Sequence, residues 1–374
     1  MTCVFMMKVD AGSSFSAVFR VQCLKDKAEQ QNAGNMTKKS AAVPHKKATA
    51  TDVAQLAGVS KWTVSRAFTA GASISDNARV QVLAAAKRLG YRPNLLARSL
   101  SQKRTHIVGV AIDQLQNPHA MLLLDEVSKQ LQLRGYMALL MNITEGKHYQ
   151  SIMAMADQLQ VDGILFLGTI LTDELITIAH DMHHIPLVQV GRNTDGQDLD
   201  MVNVDGYQAG QQIARLLLDQ GYQSFGYMKG PDTPSSHLLR MDGYRDALQA
   251  AGRQLNTELI AGHYDRQRAY QTMADYLRIT PVAERVDAMF CENDILALGA
   301  MGALRTAGQQ STMGIVGFDD IDEASAPDWQ LTSYSQGTGR LIHEALNRLI
   351  DGEASEEGEW RKGELRVRRS HLKT

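Results

Sequence analysis

The chain is 374 residues long, 44% hydrophobic and 21% charged, with 39 Lys and Arg against 41 Asp and Glu for a formal net charge of −2. That length supports more than one buried core, while the lack of any long apolar run and the three scattered cysteines argue against a membrane-spanning or disulfide-stapled chain. The near-neutral total hides a split: residues 36–104 carry 13 Lys and Arg against only Asp52 and Asp76, a net of +11, whereas residues 105–374 carry 22 against 36, a net of −14. One short segment is built for polyanions, because Lys and Arg neutralise phosphates and release their counterions.

Residues 1–47 read as a disordered extension. They hold no sustained apolar run between a basic start and a cleavage site, so no secretory signal is expected. Met36, just ahead of the basic Thr37-Lys38-Lys39-Ser40, is the expected translation start. Residues 48–93 read as a helix-turn-helix DNA-binding domain. Within TATDVAQLAGVSKWTVSRAF, Thr49 suits a helix N-cap with Asp52 beside it, Val53, Ala54 and Ala57 share one face, and Gly58 allows the turn. Ser60 then caps a second helix, in which Val64 and Phe68 point inward. Lys61, Trp62, Ser65 and Arg66 are left on the outer side, where base edges and phosphates lie within reach of a reader helix. Thr51, Ser60 and Thr63 complete the candidate contacts. A third helix opens at Ser75, places Val82, Leu83, Ala86 and Leu89 at core spacing, and stops at Gly90.

Residues 94–104 form a separate hinge and linker. After Tyr91-Arg92-Pro93-Asn94, the stretch Leu95 to Leu100 makes about two helical turns, too short to stand alone, and is expected to fold only on DNA or against a partner. Asn94, Ala97 and Leu100 are candidate DNA contacts. Leu100 is of the apolar type that wedges between base steps in the minor groove, although packing against its own protein competes.

From Thr105 the pattern changes to short apolar runs alternating with amphipathic stretches, the signature of a parallel α/β architecture. Strands are predicted at Ile107–Ile112, Met137–Met141, Gly163–Leu167, Leu187–Val190, Phe225–Met228, Asp287–Cys291 and Gly314–Phe318, with a helix over His119–Arg134. Residues 105–370 are too many for one ordinary sheet domain, so two lobes with a cleft are expected, with ligand beyond the carboxyl ends of the strands. The strand ends supply Asp113, Asn117, Asp205, Asn293 and Asp319, and Arg240 can join them. Carboxylates, amides and a guanidinium together offer the hydrogen bonds that a sugar or similar polar effector requires. At each position taken singly, a helix cap or a surface ion pair competes.

DVAQLAGVSKWTVSRAF followed by GYRPNLLARSL resembles the LacI/GalR family of bacterial transcription regulators. VDGILFLG, RMDGYRDAL, FCENDILALGAMGAL, GIVGFDD and LTSYSQ continue that resemblance in order, over about Lys47 to Ser370. The resemblance implies a small all-α DNA-binding domain with a hinge helix, then a two-lobed α/β effector and dimerisation domain like periplasmic sugar-binding proteins. It implies base reading by Lys61, Trp62 and Arg66, intercalation by Leu100 at the centre of a palindromic operator, and effector contacts from Asp113, Asp205, Arg240, Asn293 and Asp319. Two departures concern the effector. Glu292 stands where a small residue is usual, and Thr338 where a stacking aromatic is common, so Tyr264 is the candidate apolar face instead.

Features that would suggest an enzyme fare poorly. No phosphate loop ending in Lys-Ser or Lys-Thr and no Gly-x-Ser-x-Gly turn occurs. Gly299-Ala300-Met301-Gly302 lies in an apolar helical pattern that suits close helix packing, and His183-His184 lacks partners at metal spacing. Cys3, Cys23 and Cys291 fit a reducing cytoplasm. No catalytic residue, cofactor or metal is therefore expected, and no membrane association. The expected partners are palindromic double-stranded DNA, a sugar-like effector and a second copy of the chain. The competing classes are a transport sugar-binding module without regulatory DNA binding and a sugar-active enzyme.

Overall fold

The computed structural model describes residues 47–69, 71–93, 104–112, 115–143, 149–168, 177, 185–191, 200–232, 238–309, 312–355 and 358–373. The chain divides into two compact units, one ending at Tyr91 and the other beginning at Arg92. The expectations for residues 1–46, for Asn94, Ala97, Leu100 and Asp113, and for His183-His184 lie outside the described residues.

The first unit is three helices, α1 (Ala50–Ala57), α2 (Lys61–Ala67) and α3 (Asp76–Leu89). Local chemistry sets each boundary. Thr49 and Asp52 form a reciprocal capping box, with the Thr49 amide donating to the Asp52 carboxylate at 2.8 Å. Gly58 at φ 66° and Gly90 at φ 62° take the left-handed conformation that ends α1 and α3. The core is Val53, Ala54, Val64, Ala67, Val82, Ala85 and Ala86, closed by an edge-on contact of Phe68 with Tyr91. Leu83 and Leu89, predicted for this core, are exposed instead. Val82, Ala85 and Ala86 mark a neighbouring face of α3, and their small side chains let α1 approach closely, which turns both leucines to solvent.

The second unit contains two sheets. One has the order β2-β1-β3-β4-β5, all parallel, from β1 (Ile107–Ile112), β2 (Met137–Asn142), β3 (Gly163–Leu167), β4 (Leu187–Val190) and β5 (Asp200–Val202). The other has the order β11-β10-β9-β8-β6-β7, from β6 (Phe225–Lys229), β7 (Leu255–Ile260), β8 (Ala288–Cys291), β9 (Gly314–Phe318), β10 (Thr332–Ser335) and β11 (Glu364–Arg366), parallel except for β11 against β10. Continuous apolar runs such as Gly163–Leu167 and Gly314–Phe318 are buried throughout, as strands covered on both faces must be. The covering helices are α4 (Pro118–Leu133), α5 (Tyr149–Gln158), α6 (Gly206–Asp219), α7 (Leu239–Ala250), α8 (Arg266–Ile279), α9 (Asp294–Thr306) and α10 (Thr338–Leu346).

The chain passes between the two lobes three times. It leaves the first sheet after β5 and enters the second lobe at α6; it returns after β10, where α10 packs Leu341, Ile342 and Ala345 into the first core; it then crosses again to reach β11. Two of these crossings are tied together by the Asp205 amide, which donates to the Arg361 carbonyl at 2.8 Å. Among the described residues no helix is long and apolar enough to cross a membrane.

Candidate functional site

In the first unit, Ser60 caps α2 by accepting the Thr63 amide at 3.1 Å, with the two hydroxyls 2.9 Å apart. Those bonds commit both hydroxyls to helix initiation. Val64 and Ala67 face the core, which leaves Lys61, Trp62 and Ser65 exposed on the opposite side, with Thr51 exposed on α1. Arg66 lies with its guanidinium carbon 4.4 Å from the centre of the Trp62 ring, and its Nε donates to the Ser73 carbonyl at 3.0 Å. Arg79 fastens the loop after α2, donating to the carbonyls of Ala67 at 2.9 Å and Ala72 at 3.0 Å. The outer face of α2 is therefore polar, aromatic and cationic, with geometry suited to a groove in a duplex.

In the second unit, a cavity of about 510 Å³, open mouth included, lies at the carboxyl ends of the strands and takes its lining from both lobes. The first lobe contributes Asn117, His119 and Leu123 at the start of α4, with Gly168 and Gly191 beyond β3 and β4; the second contributes Arg240, Tyr264, Glu292, Asn293 and Asp319. Asn117 accepts the His119 amide at 3.1 Å and so caps α4, and Asn293 caps α9 through the Leu296 amide at 3.0 Å. Asp319 sits at φ 108°, in the left-handed region that side chains rarely adopt. Strain of this kind persists only where surroundings over-determine it, and here it falls at the cavity wall.

The polar groups of the cavity are linked. Gln336, on the β10 to α10 crossing, donates through Nε2 to Asp319 Oδ1 at 2.7 Å and lies 3.2 Å from His119 Nε2, so one amide joins both lobes. With Nε2 accepting from Gln336, the imidazole proton is assigned to Nδ1, and that buried atom has no protein partner among the described residues. Arg240 is 6% exposed; Nη1 donates to the Glu292 carbonyl at 2.8 Å, its plane lies over Phe318, and its buried Nε has no protein partner among the described residues. Glu292 is 2% exposed and accepts the Gly230 amide at 2.8 Å and the Tyr227 hydroxyl at 3.2 Å. Burial pushes its carboxyl above the ordinary range, against the opposing pull of the Gly230 amide, Arg240 and the tyrosines. Tyr264 lies so close to Gly230 that a Cβ there would sit 2.6 Å from the ring. Behind the wall, Asp294 accepts Ser333 Oγ at 2.6 Å and the Ile321 amide at 2.9 Å, and burial raises its carboxyl far above the usual value. A small site lined by buried donors and acceptors suits a hydrogen-bonding ligand.

The sequence pattern described as "Bacterial regulatory proteins, lacI family" matches residues 49–94, and that described as "Periplasmic binding proteins and sugar binding domain of LacI family" matches residues 105–328. The chain belongs to the LacI family. It is a DNA-binding transcription regulator of that type. It shares 27% identity over 308 residues with the HTH-type transcriptional repressor PurR of Mannheimia succiniciproducens, covering 81% of this chain and 91% of that one. It shares 29% over 309 residues with the repressor of the same name from Erwinia tasmaniensis, covering 81% and 90%. Among solved structures, the lac repressor dimer bound to operator and the anti-inducer ONPF superposes with a TM-score of 0.77 over 87% of this chain and 100% of that one; at 23% identity the likeness is one of fold. The transcriptional regulator CelR in complex with cellobiose superposes with a TM-score of 0.63 at 26% identity, covering 86% and 99%.

On this LacI-family frame the structure brings Asn117, Arg240, Tyr264, Asn293 and Asp319 to one cavity. Asp205 does not line it: its carboxylate caps α6 by accepting the Gln208 amide at 2.9 Å. His119, Gln336 and Glu292 line the cavity without having been singled out as contacts. His119 was legible as the neighbour of Asn117 at a strand end. Gln336 was not, because only the crossing between lobes gives it its place.

Proposed function

We propose that the chain is a transcriptional repressor that binds palindromic operator DNA as a homodimer and is controlled by a small neutral polar effector in the interlobe cavity. The observation that carries the effector half is Arg240, a buried cation whose Nε has no protein partner among the described residues, in a wall that also carries Glu292 and Asp319. Arg240 shares this wall with Asp319 and with Glu292, whose carboxyl is pushed by burial towards its neutral form, so a hydroxyl-rich ligand finds both donors and acceptors. A sugar or sugar derivative fits that pattern, with Tyr264 as its apolar face. A purine base is the second reading, on the kinship with the PurR repressors. The relatives named above supply the word repressor.

For DNA, Lys61, Ser65 and Arg66 are the proposed contacts on the reader helix, with Trp62 on the same face, Thr51 on α1, and Ser60 and Thr63 setting the start of the helix, while Asn94, Ala97 and Leu100 are proposed from the sequence alone. Arg66 takes a guanine edge and Lys61 a phosphate or base edge. For the dimer, the support is a set of exposed apolar side chains at the edge of the first lobe: Met137 on the edge strand β2 is 62% exposed and Leu133 at the end of α4 is 87% exposed, and Leu140, Met155 and Leu159 are exposed too. Effector bound between the lobes acts only by preferring one lobe angle over another.

The test has two arms. Purified full-length chain is titrated with duplex selected from a random library at several salt concentrations. In parallel, sugars, polyols, sugar acids and purine bases are screened by thermal shift, since a ligand at a hundred times its Kd raises stability by about 2.7 kcal/mol. A polyhydroxylated hit that changes operator affinity supports the first reading; a purine hit supports the second.

A further inference from the structure

We infer that Trp62 is a positioning residue for DNA recognition: its indole face is the shelf that fixes the Arg66 guanidinium for base reading. The inference rests on the reading of α2 as the helix that enters the groove. An Arg side chain left to itself samples many rotamers, and each must be frozen before a bidentate contact forms. Here two anchors do that in advance. Trp62 and Arg66 are one helical turn apart, so the ring lies directly beneath the guanidinium at 4.4 Å. The Ser73 carbonyl takes the Nε proton at 3.0 Å, and the loop holding Ser73 is itself clamped by Arg79 on Ala72. With one face stacked and Nε occupied, the remaining donors are the terminal amino groups, spaced as the O6 and N7 acceptors of guanine require.

The burial pattern supports the same role. Trp62 is 65% exposed and lies outside the buried core of its unit, so folding gives no reason for the largest side chain to stand there. A residue with a flat π face one turn before the arginine is what a preorganised guanidinium needs; Gln or Lys at this place would offer no face.

The test uses the full-length chain and an operator selected from a random duplex library, read by fluorescence anisotropy against single-base variants of that operator. Trp62→Ala is expected to lower discrimination at one guanine per half-site on the order of tenfold, the same base pair affected by Arg66→Ala. Trp62→Phe, which keeps an aromatic face, is expected to restore most of it. The double variant is expected to be no worse than Arg66→Ala alone, because the shelf acts only through the arginine. Thermal unfolding checks that each variant is folded. The role is overturned if Trp62→Ala leaves discrimination intact, if Phe rescues nothing, or if the two single effects multiply, since the indole would then contact DNA independently. Failure of the wild-type chain to bind any duplex in a salt-dependent way would instead sink the reader helix, and this role with it.

Discussion

At the scale of single residues, the cavity wall concentrates buried charged groups, Arg240, Glu292 and Asp319. Asp319 accepts from Gln336 in a backbone conformation that only its surroundings enforce. Asp319→Ala is expected to abolish effector-induced thermal stabilisation, a loss of about 2 kcal/mol or more of binding energy, while operator binding persists; calorimetric titration and gel shift separate the two, and retained effector response would remove Asp319 from the contact set. Glu292 gives a pH signature. Its carboxyl is raised in the folded state by burial, so the folded chain holds a proton that the unfolded chain gives up above its ordinary value of 4.5. That contribution is fully present below pH 4.5 and is lost as pH rises through the folded value. Glu292→Gln, which never ionises, is therefore expected to gain thermal stability over the parent chain progressively as pH rises above 4.5 and to level off once pH has passed the raised folded value. A gap that shrinks with rising pH would contradict the assignment.

At the scale of elements, α6 and α7 meet backbone to backbone. A Cβ on Gly210 would lie 2.0 Å from the Arg240 carbonyl, and one on Gly243 would lie 1.9 Å from the Tyr207 carbonyl. No rotamer relieves a clash with main chain, so Gly243→Ala must push α7 away from α6 and carry Arg240 with it. The expected outcome is a stability loss of about 1–3 kcal/mol in urea unfolding, together with weakened effector binding although no contact residue is altered. Elements whose signals are local were readable in the sequence: the caps Thr49, Ser60 and Ser75, the glycine stops at Gly58 and Gly90, and the runs that became β1, β3, β4, β8 and β9. The strands β10 and β11 were not predicted. Thr332 and Ser333 are polar, and their burial is supported by His371 and Asp294, partners far away in sequence. Likewise α3 presented two adjacent apolar faces, and only packing against α1 decided between them.

At the scale of the whole molecule, the exposed apolar side chains on β2, α4 and α5 are expected to be covered by a second copy. Met137→Glu combined with Leu140→Glu is expected to yield monomers in sedimentation and to lower affinity for a palindromic operator at least a hundredfold, while half-site binding survives. A variant pair that remains dimeric would place the interface elsewhere. The two-lobed plan and the location of a cleft were legible from alternating strand and helix patterns. The linkage of His119, Gln336 and Asp319 was not, since it exists only once a crossing segment brings residues from both lobes within hydrogen-bond reach. The distribution of the three tryptophans has a practical consequence. Trp62 stands in the reader, Trp329 packs against the core of the second lobe, and Trp360 against that of the first. Each moving part thus carries its own fluorophore: quenching of the solvent-facing indole reports docking onto a duplex, and the emission of the other two, followed in single-tryptophan versions, reports the ligand, all without an attached dye.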